Sequence, residues 1–458
     1  MLRPELQCWS DQSGKWATCS RELACEAHKN GISKYQVNFE SETQYTLHNL
    51  VTRSNLECST DSELLSVGLY FFLGVFFSFI AWIKCSDNWS RKPIIMLGCL
   101  LQMTAYSGVV FMPEKIEWLR AYYFLLGLGT VISMSTSYNY LIEFTPRHGK
   151  IVVGTLFLSL QIAPAAALPI YLQMVQLNVF PFLMLGFGCG LAGLALLFIV
   201  MPESPQYLFA MERFTECQES LNYIAKFNGT DYRCNLAHLQ DNKLDLQIDN
   251  RESQLRWFLD QMMLQRNHNK HLLIFIANWT AVSVCYHLLV FGLARTSGEI
   301  MLNGVASGVA EFFANILVGT FLMQFGVKNV LLVSFTMMAA SSAHYLFPIL
   351  TLDIWYACII AFMRASVTCA FAAVFYGTND LFRADLVAII FALCNMFARL
   401  LTMAAPSIST QNDTTVMAVY FGLSLLGLTC SGFIESKRDR KGKKDKRKKK
   451  KSKKQRDQ

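Results

Sequence analysis

"LLSVGLYFFLGVFFSFIAWIKCSDNWSRKPIIMLGCLLQMTAYSGVVFM", Leu64 to Met112, holds two long apolar runs separated by one short charged turn. A helix needs about 20 apolar residues to cross the hydrocarbon of a bilayer, because lipid offers the backbone no hydrogen-bond partner and a helix satisfies its amides internally. The same pattern recurs along the chain. Spans are read at 64–84, 93–112, 118–142, 151–173 and 179–200, then at 270–292, 300–323, 328–349, 354–376, 385–408 and 416–434. The reading predicts an all-α membrane protein of eleven transmembrane helices, five before the polar stretch 201–269 and six after it.

Composition agrees, since 53% of the 458 residues are hydrophobic, 13% aromatic and only 16% charged. That profile excludes an ordinary soluble domain. The net charge of +8 belongs to the tail 436–458, where fifteen Lys or Arg face Asp439, Asp445 and Asp457. The rest of the chain is net acidic, so the basicity says nothing about nucleic acid. The tail is too charged to pack and is expected to bind anionic lipid.

Orientation follows from Lys84, Arg91, Lys92, Arg147, Lys150, Lys328 and Arg383, which fall in alternate connections. Positive charge near span ends favours the cytoplasmic side. Those loops, the 201–269 stretch and the tail are therefore expected in the cytoplasm, and residues 1–62 outside it. On that external face Cys8, Cys19, Cys25 and Cys58 are candidates for two disulfides, with three pairings open. Asn412, Asp413 and Thr414 form a glycosylation acceptor pattern on the same face, with Asn412 as the acceptor. Met1 to Asn30 has no apolar core of a signal peptide. There is no glycine-rich phosphate loop and no HExxH, so neither an enzyme nor direct drive by ATP is expected, and no cofactor or metal.

The turns carry the more specific text. "SDNWSRKP", Ser86 to Pro93, sets Asp87 four residues before the pair Arg91 and Lys92, so that an acid and two bases can bridge helix ends in one conformation and release them in another. After the fifth span comes "MPESPQYL", Met201 to Leu208, where Pro202 and Pro205 stop the helix and Glu203 offers a carboxylate. Asp87 to Pro93 resembles the loop motif of the major facilitator superfamily, with Ser90 in place of its glycine. "PESPQYL" with "LNYIAKFNG", and "TLHNLVTRSNLEC" from Thr46 to Cys58, resemble the organic cation and anion transporter family within it. Further matches are Asn303, Ser307, Gly308 and Glu311 in the seventh span, and Arg399 with Pro406 in the tenth.

That resemblance covers about residues 46–434 and implies a two-bundle transporter of small organic ions working by alternating access. It also implies a helix before the external segment, so the first bundle is read as lacking its first helix. Departures are Tyr123 where the family carries an arginine before Gly127, the reduced turn "FGVKN" from Phe325 to Asn329, and Arg383 in "NDLFRAD" where a proline is typical. Candidate gating residues are Asp87, Arg91, Lys92, Glu143, Arg147, Glu203 and Asp380.

Charges inside the spans mark the candidate site, since a central Arg or Asp costs on the order of 3 kcal/mol in lipid and needs a partner or a wet path. Arg399 reads either as a structural arginine, snorkelling to an interface or paired with Glu311 on another helix, or as a cationic anchor for an anion. The resemblance favours the anchor, because this position is typically basic in members that carry anions and acidic in those that carry cations. Glu311 opposes that tilt, as it would neutralise Arg399 or take a cation or proton. Tyr286 and His287 add a hydrogen-bonding pair and a titrating group. Gln161 and Asn139 are expected to line the cavity from the first half. "GFGCGLAGLAL", Gly186 to Leu196, is expected to let backbones pack closely.

The chain thus divides into an external segment 1–62, a five-span bundle 63–201, a cytoplasmic linker 202–269 with short helices, a six-span bundle 270–435 and the tail 436–458. Expected partners are an organic ion, an anion by preference, and the bilayer, most simply that of the plasma membrane. The competing readings are an organic cation transporter and a non-transporting partner or anchor.

Overall fold

In the computed structural model the described residues are 4–10, 15–29, 34–39, 48–88, 90–111, 115–146, 149–175, 177–230, 235–236, 266–293, 299–347, 352–382 and 387–434. The tail after Glu435 and the apolar stretch Glu252 to Leu264 of the linker lie outside them.

The chain opens in a small β-module. Strand β1 (Leu6–Ser10) pairs antiparallel with β2 (Lys15–Cys19), setting Trp9 opposite Trp16; helix α1 (Arg21–Lys29) follows, and β3 (Tyr35–Val37) pairs on the free side of β1. So small a core, essentially Leu6 and Ala24, needs covalent help. Disulfides join Cys8 to Cys19 and Cys25 to Cys58, one of the three pairings open to the sequence. Arg21 clamps the module to the chain that enters the membrane, with Nε donating to the Glu57 carbonyl at 2.9 Å and Nη2 to that of Ser59. Burial pushes the Glu57 carboxyl above the ordinary carboxylate range.

Helix α2 (Leu50–Arg53) starts on a capping box, Asn49 accepting from Val51 and Thr52 while Thr52 accepts from the Asn49 amide. Beside it the His48 amide donates to Leu177 at 3.0 Å and its carbonyl accepts from Val179 at 3.1 Å. The module is thereby tied to the loop between the fourth and fifth spans.

The first bundle comprises α3 (Asp61–Asn88), α4 (Arg91–Phe111), α5 (Ile116–Glu143), α6 (Lys150–Met174) and α7 (Phe180–Val200). Helices α3 and α5 cross in near backbone contact. A Cβ on Gly74 would stand 2.1 Å from the Phe124 carbonyl oxygen, and one on Gly127 2.2 Å from that of Phe71, so only glycine fits either place. The glycine-rich α7 does not behave as its text predicts. It buries no residue, and Gly188 and Gly193 face open space; only Gly186 and Gly190 meet α4, through Tyr106 and Met103. Small residues permit close approach but do not supply the neighbour.

Two short helices, α8 (Pro205–Ala210) and α9 (Phe214–Phe227), follow. The second bundle holds α10 (Arg266–Gly292), α11 (Ile300–Leu346), α12 (Asp353–Leu381), α13 (Val387–Thr402), α14 (Ala405–Ile408) and α15 (Asp413–Gly432). Helix α11 carries two spans, broken at Gly326, whose φ of 74° is open to glycine and strained for other residues. The tenth span is not one helix: α13 ends at Thr402 and α14 begins again around Pro406, whose ring in a continuous helix would strike the Thr402 carbonyl. Among the described residues nine helices are long and apolar enough to cross a membrane. The more polar 28-residue α5 is not among the nine and α11 counts once although Gly326 divides it into two limbs, so each of the eleven spans read from the sequence corresponds to a long helix or limb.

The core of the second bundle centres on Phe275, Trp279, Phe335 and Met363. Hydrogen bonds cross between its helices, Trp279 Nε1 donating to Thr378 at 3.1 Å and Ser431 to Asn278 at 3.0 Å. The bundles meet where α6 runs along α11. There a Cβ on Gly308 would lie 2.6 Å from Ala166 Cα, and Gly304 abuts Pro169. This seam closes one side of the space between the bundles and leaves a cavity beside it.

Candidate functional site

The cavity has a volume of about 600 Å³ and takes its walls from both bundles. From the first come Gln102 of α4, Thr130, Ser133 and Ser137 of α5, and Phe157 and Gln161 of α6. From the second come Tyr286 and His287 of α10, Glu311 and Asn315 of α11, Thr368 and Phe371 of α12, and Arg399 of α13. On α5 the lining positions 130, 133, 134 and 137 recur at helical spacing and define one face. Asn139 is off that face, about 200° around from Ser137, and is exposed outside the lining, contrary to its expected place.

The charged groups are arranged in a way the sequence does not reveal. Glu311 is not paired with Arg399. Its Oε2 accepts from Arg364 Nε at 2.7 Å and Nη2 at 2.5 Å, and its Oε1 accepts from the Tyr286 hydroxyl at 2.7 Å. Arg364 also lies 4.1 Å over the Tyr286 ring and donates to the Tyr286 carbonyl at 3.4 Å. Both partners are nearly inaccessible, with side chains 7% and 3% exposed. The carboxylate is thus spoken for, by a residue that sequence reading passed over. The signal was present: Arg364 is an arginine in the middle of an apolar span, which by itself demands a partner.

Among the described residues Arg399 has no carboxylate partner. Its Nη1 lies 3.2 Å from His287 Nε2, and its buried Nε has no hydrogen-bond partner among the described residues. The His287 Nδ1 lies 2.7 Å from the Ser283 carbonyl, which can only accept, so Nδ1 carries the proton and Nε2 presents its lone pair to Arg399. Phe72 of α3 packs edge-on against the imidazole at 4.9 Å, bringing the first bundle against this residue. With Glu311 and Arg364 cancelling and His287 neutral, Arg399 is the one uncompensated positive charge among the described residues that line the cavity.

The charged turns lie at the far ends of the first-bundle helices. Arg91 forms an ion pair with Glu143 at 3.2 Å and sits 4.6 Å over the Tyr207 ring. Glu203 caps α4, accepting from the Arg91 amide at 2.8 Å and the Lys92 amide at 3.2 Å, where the helix dipole favours a carboxylate. Lys92 Nζ donates to the Phe198 carbonyl at 3.2 Å. These contacts all join α4, α5 and the α7–α8 junction, within one bundle. The side chains of Asp87 and Asp380, and all of Arg147, lie outside the described residues. Removal of the cap by Glu203→Ala is expected to cost about 1 kcal/mol and to lower the melting temperature of the detergent-solubilised protein. An unchanged midpoint would show that the carboxylate contributes nothing there.

Asn412 is exposed immediately before α15. No group of three or more His, Cys, Asp or Glu able to hold a metal occurs among the described residues.

The family described as "Sugar (and other) transporter" matches residues 30–434. The chain is similar to solute carrier family 22 member 4 of Mus musculus, 24% identical over 276 residues that make up 60% of this chain and 48% of that protein. It is similar to organic cation/carnitine transporter 2 of Homo sapiens, 24% identical over 346 residues, 73% and 59% of the two chains. With solute carrier family 22 member 2 of Oryctolagus cuniculus it shares 27% identity over 282 residues, 59% and 47%. The chain spans about half the length of these relatives. Among solved structures, the inward-open xylose transporter XylE from E. coli superposes with a TM-score of 0.59 at 14% identity over 82% of this chain and 86% of that one. Its partially occluded inward-open form gives 0.58 at 13% identity, over 82% and 89%. At such identity the likeness is one of fold.

Proposed function

Because the chain belongs to the sugar and other transporter family of the major facilitator superfamily, whose members here are membrane transporters and not enzymes, we propose that it carries small organic anions across the bilayer by alternating access. The observation that carries this reading is the charge balance of the cavity: among the described residues that line it, Arg364 neutralises Glu311 and leaves Arg399 as the cation without a carboxylate. A guanidinium offers a carboxylate or sulfate two parallel hydrogen bonds, and such charge-assisted pairs are shorter and stronger than neutral ones. Arg399 binds the anionic group, Gln161, Gln102 and Ser133 hydrogen-bond polar substituents, and Phe157 and Phe371 flank an apolar body. A volume of about 600 Å³ suits a drug-sized solute.

Rocking of one bundle against the other exposes the site to each side in turn. Arg91, Lys92, Glu143 and Glu203 brace the first bundle as a unit for that motion. The driving force is a solute or ion gradient. In this scheme the β-module and Asn412 face outward at the plasma membrane, Asn412 carries glycan, and the tail holds anionic lipid at about 1 kcal/mol per Lys or Arg near the surface.

The test is uptake into cells expressing the protein, comparing labelled aromatic carboxylates and sulfonates with quaternary ammonium compounds. Saturable uptake of the anions, unaffected by ammonium competitors, is expected. Ammonium uptake without anion uptake would overturn the reading.

A further inference from the structure

We propose that transport is coupled to protons through His287, one proton entering with each anion; this deepens the anion reading and rests on it. The inference comes from the hydrogen-bond directions around the ring. Nδ1–H is committed to the Ser283 carbonyl at 2.7 Å, so the only nitrogen able to gain a proton is Nε2, and its lone pair is taken by Arg399 Nη1 at 3.2 Å.

In the empty site the neutral ring serves as acceptor for an arginine that has no carboxylate. A proton on Nε2 there would set an N–H against an N–H and a cation against a cation. An arriving carboxylate or sulfonate changes both partners. Arg399 turns its N–H groups to the anion, and Nε2 is left pointing a lone pair at an anionic oxygen. Protonation from water converts Nε2 into a donor to that oxygen, so proton and anion each make room for the other. On the opposite side the anion leaves, Nε2 releases its proton to water, and the Arg399 hydrogen bond reforms. A monovalent anion and its proton cross together with no net charge moved.

The other groups around the ring do not compete for this role. From α12 Arg364 and from α11 Glu311 form a closed pair, joined by the Tyr286 hydroxyl of α10. From α3 the ring meets Phe72, and α14 carries no titratable residue. On α15 the Tyr420 hydroxyl is directed to the Met363 carbonyl at 3.4 Å.

Linkage makes the effect reciprocal: if a proton strengthens anion binding, the anion strengthens proton binding by the same factor. The experiment uses the full chain in proteoliposomes with a labelled aryl sulfonate, which stays ionised over the whole range and does not cross lipid as a neutral acid. Uptake is expected to rise about fivefold or more when the outer solution is brought from about pH 7.5 to about pH 5.5. A trapped pH dye should report acidification of the lumen on addition of the sulfonate. His287→Gln, which can turn either an acceptor or a donor toward its neighbours without titrating, should carry the sulfonate at a lower rate that no longer depends on pH and brings in no proton. Calorimetry of sulfonate binding to the wild type, in buffers of different ionisation enthalpy, reads proton uptake directly and needs no variant. Sulfonate uptake that is flat with pH, or binding without proton uptake, would overturn the coupling and leave the anion reading standing. Absence of binding and uptake of any anion at any pH would end both.

Discussion

Arg399→Ala is expected to abolish anion uptake while leaving the amount of protein at the cell surface near the wild-type level. The two halves of this result have separate causes. Truncating one partner of a desolvated charge-assisted pair costs about 2–5 kcal/mol, which is about thirtyfold to several thousandfold in affinity. Folding is spared because no carboxylate among the described residues depends on Arg399; its contact with His287 Nε2 at 3.2 Å is to a neutral acceptor. Arg399→Lys keeps the charge but loses the fork, and should retain partial uptake. Arg399→Asp reverses the sign and should favour cations. Uptake normalised to surface protein is the measurement, and normal anion uptake by a well-expressed Arg399→Ala would remove this residue as the anchor.

Arg364→Ala should do the opposite, depleting folded protein whatever the substrate. It leaves the Glu311 carboxylate in a site where its side chain is 3% exposed and only Tyr286 still donates to it. Breaking a buried ion pair from one side costs about 3–5 kcal/mol because the other charge is stranded, a large share of a typical stability of about 5–15 kcal/mol. The double variant Arg364→Met, Glu311→Gln replaces the pair with neutral groups of similar size and should recover most of the folded protein, since a well-packed neutral pair often matches a buried ionic one. Thermal unfolding followed by size-exclusion fluorescence reads both. A stable, monodisperse Arg364→Ala would show that the pair is not needed for folding, and would return Glu311 to the list of groups free to meet a substrate.

Much of this architecture is legible in the primary structure because the bilayer is a severe solvent. Eleven apolar runs must be helices, and a polar or charged group within a run must face protein or water. For that reason Arg399, Glu311, Tyr286, His287 and Gln161 could be singled out before any coordinates, and all five line the cavity. Asn139 could not be assigned in the same way, since its orientation depends on which face of α5 turns inward, and Ser133 and Ser137 settle that.

Pairing was beyond the reach of one-dimensional text. Four cysteines allow three disulfide connectivities, and the fold of the β-module selects Cys8 with Cys19 and Cys25 with Cys58. Glu311 had two arginines within reach of the same argument, and the packing of α11 against α12 gives it Arg364. Composition and periodicity state that a buried charge must be answered, because its cost depends only on its surroundings being apolar. Which group answers it depends on distances between helices far apart in the chain, and that single choice sets whether the cavity is neutral or positive.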